Sequence, residues 1–355
     1  MEINILSTYH MIALIEEITP ITTFFKDRYF PTAESDIFAS DKVLTEYRKG
    51  DRKMAAFVAP GVGDISIDRG GYEINEYQPA YIAPSRILTL DDLKQRGFGE
   101  ALFSNQTQAQ RAARIVLQDL SDLEDRITRR EEWMCVQTMI NNACEMQEYV
   151  DSKTKGDILR VRFYDKESEH VYIVSKPWNS DDGDFFGDVK AMCRMLSKRG
   201  LRAVDLVLGS QVADVISNIP KVQKLLDNRN MEYGSLSPEL TSHPGVAFMG
   251  TLNFGGFKLN LLEVTHGYVD DSGVEKPYFP ATAAMVTAPD CGRLMYGQIS
   301  QIDHGQSDFA TYAQRRVPKL AVDQNKDTRK LRLGTRPLAA PKDYCPWTFA
   351  ADVVE

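Results

Sequence analysis

The chain has 355 residues, 43% hydrophobic and 26% charged, an ordinary globular composition with room for two or three domains. Forty-two basic against fifty acidic residues leave a net charge of −8 and a pI near 5.3, which excludes the global basic field that drives nucleic-acid binding. No run approaches the roughly 18 apolar residues of a membrane span, and the five apolar-rich residues 11–15, followed by Glu16 and Glu17, do not make a secretory signal, so a soluble protein made in the cytosol is expected.

Residues 1–50 read as an arm. A short helical patch at 11–18 is closed by Pro20, and Phe24, Phe25, Tyr29 and Phe30 then form a dense aromatic cluster before the break at Pro31. So thin a segment cannot bury four rings by itself, and the cluster is expected to pack on another domain or another subunit. Residues 53–89 have β texture: short extended runs at 55–59, 65–68, 72–77 and 80–83, separated by Pro60-Gly61-Val62-Gly63, Gly70-Gly71 and Pro79. Asp64, Ser66 and Asp68 alternate with Ile65 and Ile67, too little apolar surface for a ribbon to stand alone, so a projecting loop stabilised by neighbours is expected. Gly61 and Gly63 are turn glycines, since no helix carrying Lys-Ser/Thr follows to complete a phosphate loop.

No glycine or proline occurs between Gly99 and Gly156, and residues 105–149 read as one long spine helix capped by Ser104 or Asn105. Val116, Leu120, Leu123 and Ile127 form one apolar stripe; Trp133, Val136, Ile140 and Ala143 form a second. The six steps from Ile127 to Trp133 turn the apolar face by roughly 120°, so the two halves must meet different neighbours. Unbroken, such a helix spans roughly 65 Å at 1.5 Å per residue, more than the diameter of a compact globule of this length; a break near 129–131 is the alternative.

Beyond the spine, 157–163 and 171–174 read as a hairpin. A helix over 184–198 capped by Gly200, a buried strand over 203–208 and a helix opened by Ser210 make a small α/β unit. Strands then dominate: 246–252, 257–263, 274–279, 283–287 and 294–299, with further short strands between Pro318, Pro337, Pro341 and Pro346.

Candidate chemistry is thin. Asp181, Asp182 and Asp184 lack the spacing and the closing glutamate of a calcium loop and read as a solvated acidic turn. Gly209-Ser210 lacks the G-x-S-x-G frame of a nucleophile elbow, and an N-capping role accounts for Ser210. The histidines (His10, His170, His243, His266, His304) are scattered without metal-ligand spacing, and the five cysteines read as buried reduced thiols. No catalytic residue, cofactor or metal is expected.

Several strings give the chain a family likeness: Phe24-Phe25-Lys26-Asp27-Arg28-Tyr29-Phe30-Pro31, Val58-Ala59-Pro60, Asp68-Arg69-Gly70-Gly71, Glu76-Tyr77-Gln78-Pro79-Ala80-Tyr81-Ile82-Ala83-Pro84, Lys276-Pro277-Tyr278-Phe279-Pro280 and Gly292-Arg293-Leu294. In their number and order they resemble the major capsid proteins of the phage lambda capsid-protein E family, over nearly the whole chain. The resemblance implies an α+β, HK97-like capsid fold: N-arm 1–50, extended E-loop 51–95, peripheral domain 96–184 with spine helix and β-hairpin, axial domain 185–290, and returning strands 291–355. It further implies hexamers and pentamers closing into an icosahedral shell around packaged double-stranded DNA, which touches the inner face without sequence specificity. Scaffold and portal proteins, and a decoration protein in many relatives, are the implied partners, with assembly in the host cytoplasm, a virion location and no membrane. Implied intersubunit contacts are Phe24, Phe25, Tyr29 and Phe30 of the arm, Lys53, Asp68, Arg69, Gly70 and Gly71 of the ribbon, and Tyr77 and Tyr81 behind it. No crosslink through Lys53 is expected. The alternatives are an encapsulin-like compartment shell and a hydrolase using Ser210.

Overall fold

The computed structural model describes residues 11–12, 15, 18, 21–47, 73–89, 108–149, 155–164, 166–180, 182–219, 222, 234–240, 243–270, 272–303, 306–323 and 328–355. A short arm helix, Phe25–Tyr29, leads to β1 (Val43–Tyr47), which pairs antiparallel with β2 (Glu73–Tyr77). The expected strand at 80–83 is reduced to one bridge, Ile82 to Thr335, and the chain becomes regular only in β3 (Ser85–Leu88).

The spine helix runs unbroken from Gln108 to Asn141, 34 residues and so about 51 Å at 1.5 Å per residue. It ends earlier than the sequence pattern predicts. Asn142 still donates its N–H to Thr138 O at 3.0 Å, but its φ of 51° is left-handed, and the chain turns directly into β4 (Ala143–Tyr149). Asparagine is one of the few non-glycine residues that takes this conformation readily. Its side chain is then fixed from three sides: Oδ1 accepts from Trp347 Nε1 at 2.8 Å, and Nδ2 meets His170 Nδ1 at 2.8 Å and Cys345 Sγ at 3.5 Å. The expected hairpin of 157–163 with 171–174 does not form: β5 (Lys155–Arg162) pairs with β4 instead, and within 171–174 only Val171 bridges, to Phe349.

The rotated apolar face is present. Val116, Leu120, Leu123 and Ile127 pack with Met11, Ile15, Leu320, Leu331 and Leu333, whereas Met134, Cys135, Val136 and Met139 enter the main core, with Trp133 and Ile140 half-buried against it. At about 1.5–3 kcal/mol for each fully buried large apolar side chain, both seams are substantial.

The α/β unit opens with the helix Phe185–Arg199, whose N-cap Asp184 accepts from Gly187 N–H at 3.1 Å and whose C-cap Gly200 sits at φ 85°. Then come β6 (Asp205–Gly209) and the helix Ser210–Asn218. Strands β7 (Gly234–Leu240), β8 (Val246–Phe254) and β9 (Phe257–Val264) follow; Gly255 and Gly256, both at positive φ, turn β8 into β9. After the small hairpin β10 (Gly267–Val269) and β11 (Glu275–Pro277) comes β12 (Ala284–Thr287). The main sheet has the order β19-β12-β6-β9-β8-β7, with β19 being Thr348–Ala350 and the β6–β9 pair its parallel contact. The two helices bury Val189, Met192, Leu196, Val212 and Ile216 in a core with β6 and β12.

The returning segment forms β13 (Gly292–Tyr296), β14 (Ile299–Ile302), β15 (Phe309–Tyr312), β16 (Val317–Asp323), β17 (Thr328–Gly334) and β18 (Pro337–Pro341). What reads as one strand at 294–299 is thus two, with β13 pairing β18 and β14 pairing β15, while β16-β17-β3 makes a three-stranded sheet. All five cysteines are buried and free.

Candidate functional site

Buried charged side chains gather where the arm meets the middle of the spine. Glu131 and Glu132, adjacent on the helix, are 0% and 1% exposed, although composition alone would put two consecutive glutamates in water. Glu132 holds the arm by its main chain: Oε1 accepts the N–H groups of Phe24 and Phe25 at 3.0 and 2.9 Å, and Oε2 that of Lys26 at 2.8 Å. His266, just after β9, places Nε2 3.2 Å from the same carboxylate.

Glu131 holds side chains. Lys26 Nζ lies 2.8 Å from Oε2, Tyr296 donates its hydroxyl at 3.0 Å, and Arg316 donates Nη1 and Nη2 at 2.7 and 3.0 Å. Arg316 also donates Nε to Glu124, two helical turns earlier on the same face of the spine, at 2.5 Å. Burial by itself pushes the Glu131 carboxyl up, but Arg316 and Lys26 outweigh it and hold the group well below the usual carboxylate range. Burial likewise opposes the Lys26 ammonium, and Glu131 reverses the balance, leaving its pKa raised. A second anchor lies on β6, where the fully buried Asp205 accepts from Arg28 at 2.6 and 2.9 Å, from Tyr29 OH at 3.1 Å and from Asn260 Nδ2 at 3.0 Å. Arm, spine, main sheet and returning strands are therefore tied through three carboxylates, Glu131, Glu132 and Asp205. The arrangement can lock elements together; it offers no nucleophile and base in register.

Of the two expected destinations for the arm rings, another domain or another subunit, the chain itself supplies the first. Phe24, Phe25, Tyr29 and Phe30 are 0–3% exposed within their own chain. Phe25 stacks on Phe279 and His266, and Phe30 packs against Trp347. Their side chains thus face the subunit's own core, because the spine and the main sheet supply the apolar surface that the arm lacks. Tyr77 is half-buried, donates its hydroxyl to Arg162 O at 2.8 Å and packs edge-on against Phe163. Tyr81 is 40% exposed with Arg332 and Arg336 over its ring. Lys53, Asp68, Arg69, Gly70 and Gly71 lie outside the described residues.

Ser210 is also corrected. The N-cap of its helix is Gly209, and the serine side chain makes no capping bond. Gly209 is required by space: a Cβ there would lie 2.3 Å from Pro280 O and 2.4 Å from Ala281 O. Among the described residues no group of three or more His, Cys, Asp or Glu side chains is arranged to hold a metal, and no helix is long and apolar enough to cross a membrane.

The sequence profile of the phage major capsid protein E family matches residues 7–349. This chain belongs to that family. Two curated relatives are 24% identical over 325 residues, covering 89% of this chain and 90% of theirs: the P21 prophage-derived major head protein of Escherichia coli O6:H1 strain CFT073 and the major capsid protein of Enterobacteria phage P21. The same fold is seen in the crystal structure of a protein assigned as a prophage capsid protein of E. coli CFT073, with a TM-score of 0.62 at 14% identity over 98% of this chain and 99% of that one. A phage-related protein from Bordetella bronchiseptica RB50 matches at a TM-score of 0.50 and 11% identity, over 98% of each chain. The chain accordingly has the α+β, HK97-like shell fold and is a major capsid protein of a phage or prophage.

Proposed function

We propose that copies of this chain assemble as hexamers and pentamers into the icosahedral head of a tailed phage or prophage, enclosing packaged double-stranded DNA, and that the chain performs no catalysis. The reading is carried by the family match, which runs from residue 7 to residue 349 and so takes in the arm, the spine and the returning strands together. In this reading the N-arm is 1–50, the E-loop 51–95, the peripheral domain 96–184, the axial domain 185–290, and 291–355 completes both. Lys53, Asp68, Arg69, Gly70 and Gly71 would reach a neighbouring subunit, and Tyr77 and Tyr81 would lie at the root of that contact. Ile87, Ile158, Ile173 and Phe309, each at least 60% exposed in the isolated chain, supply apolar surface that neighbours would cover. Scaffold and portal proteins are the expected helpers, with a decoration protein as a further candidate, in the host cytoplasm before incorporation into the virion.

The test is to express the chain alone and with the neighbouring head genes of its source, then examine the products by sedimentation and electron microscopy. Hollow regular shells, and a nucleic-acid-like ratio of absorbance at 260 and 280 nm in particles recovered from lysed host, are the expected outcome. Small oligomers in every condition would overturn the shell reading. Shells filled with protein and free of DNA would replace it with a compartment of the encapsulin type.

A further inference from the structure

The outward side of the spine helix borders a cleft of about 1110 Å³ that takes no part in the arm network. Arg126, Arg129 and Arg130 line it at positions i, i+3 and i+4, which share one helical face, and Trp133 follows. The hairpin of β10 and β11 adds Tyr268, Val269, Asp270 and Glu275, and Tyr149 from the end of β4 completes the apolar part. All three arginines are exposed, and among the described residues neither Arg126 nor Arg129 has an ion-pair partner. Arg130 lies over the Trp133 ring, 5.4 Å from its centre.

Among the described residues, nearby acid does not neutralise Arg126 and Arg129. The Asp270 carboxylate is committed inside its own turn: it accepts Ser272 N–H at 2.9 Å, Ser272 Oγ–H at 2.7 Å and Val274 N–H at 3.0 Å, and it pairs with Lys276 Nζ at 2.7 Å. Those bonds hold the Asp270 carboxyl below the usual carboxylate range, the Lys276 hydrogen bond first among them, and keep the hairpin in one shape. Among the described residues of the cleft wall that leaves Arg126 and Arg129 facing one uncommitted carboxylate, Glu275, on a chain whose net charge is −8. Beside them Val269 is 66% exposed and Tyr149 46% exposed. Cationic and apolar surface meet in one preformed concavity.

We propose that this cleft binds an extended acidic segment of a protein partner, with carboxylates on Arg126 and Arg129 and intervening apolar side chains on Val269, Tyr149 and Trp133. Charge complementarity favours an anion. The apolar half favours a peptide over a nucleic-acid duplex, whose phosphates would leave Val269 and Tyr149 in water. The proposal concerns the single subunit and does not depend on shell formation.

Unassembled subunits would be titrated by fluorescence anisotropy with a short labelled peptide alternating glutamate with valine. A glutamate–serine peptide, a lysine–valine peptide and a thymidine oligonucleotide serve as comparisons. Saturable binding of the glutamate–valine peptide, weaker at high salt, is expected, with the lysine peptide not bound and the serine peptide bound several-fold more weakly. Arg126→Glu with Arg129→Glu should weaken binding by about tenfold or more, while circular dichroism melting stays unchanged because both side chains are exposed. Val269→Ser should weaken it by a smaller factor. Absence of binding by the folded wild type, or equal binding by the folded double variant, would overturn the proposal. So would an oligonucleotide that binds more tightly than the peptide with the same arginine dependence, since the cleft would then be a nucleic-acid contact.

Discussion

Replacing Glu132 by alanine removes the acceptor of three buried main-chain donors at once. Phe24, Phe25 and Lys26 donate to this carboxylate at 3.0, 2.9 and 2.8 Å, and the segment that carries them is buried against the spine. A buried donor left without a partner costs about 1–3 kcal/mol, so even the low end for each of three donors gives about 3 kcal/mol. Unfolding entropy near 2.1 cal/mol/K per residue amounts to about 0.75 kcal/mol/K for a chain of this size, so the loss corresponds to a fall in Tm of about 4 °C if the chain unfolds as one unit. The assays are thermal and urea unfolding of the unassembled subunit by circular dichroism, with limited proteolysis to report on the arm. Glu132→Gln belongs beside it: the amide keeps one acceptor oxygen but turns an NH2 group toward a donor, so its stability should fall between the two. If Glu132→Ala melts within about 1 °C of wild type with the arm equally protected, this carboxylate does not hold the arm and the account of the junction is wrong.

Glu131 predicts an acid sensitivity. Burial raises its pKa, Arg316 and Lys26 lower it further than burial raises it, and the folded value lies below the unfolded one of about 4.3. Its contribution is therefore complete above the unfolded pKa and lost as pH falls through the folded one, so urea midpoints of the wild type should decline below about pH 4.5, and less steeply in Glu131→Gln; parallel declines would count against the assignment. Asn142→Ala puts a Cβ residue without side-chain tolerance at φ 51° and strands the Trp347 indole, at a cost of about 1–2 kcal/mol for the conformation and about 1–3 for the donor. Asn142→Gly keeps the conformation and loses the acceptor, so urea midpoints should rank Asn above Gly above Ala; a different order would show that the turn is not set by this residue. Ser210→Ala, which removes no capping bond, should shift stability by less than about 0.5 kcal/mol and leave particle yield unchanged. A hydrolytic activity of the purified protein that disappears in this variant would refute the purely structural role.

The sequence by itself determined the family and much of the scaffold. The strings from Phe24 to Pro31, from Glu76 to Pro84 and from Lys276 to Pro280 are continuous, so they are legible without coordinates. The same holds for the two stripes of the spine and for the helix that starts at Asp184 and stops at Gly200, because helical period and caps act within a few residues. Only the tertiary structure decided where the spine ends and what its middle does. Asn142 stops the helix in partnership with Trp347, 205 positions away, and with His170 and Cys345, none of which lies within reach of a local pattern. Nothing local in the sequence marks Glu131 and Glu132 as buried; Lys26, Arg316 and the main chain of the arm are brought against them from 105 to 185 positions away. The destination of the arm's rings was undetermined for the same reason: apolar residues dictate that they be buried, and only the assembled fold supplies the surface that buries them.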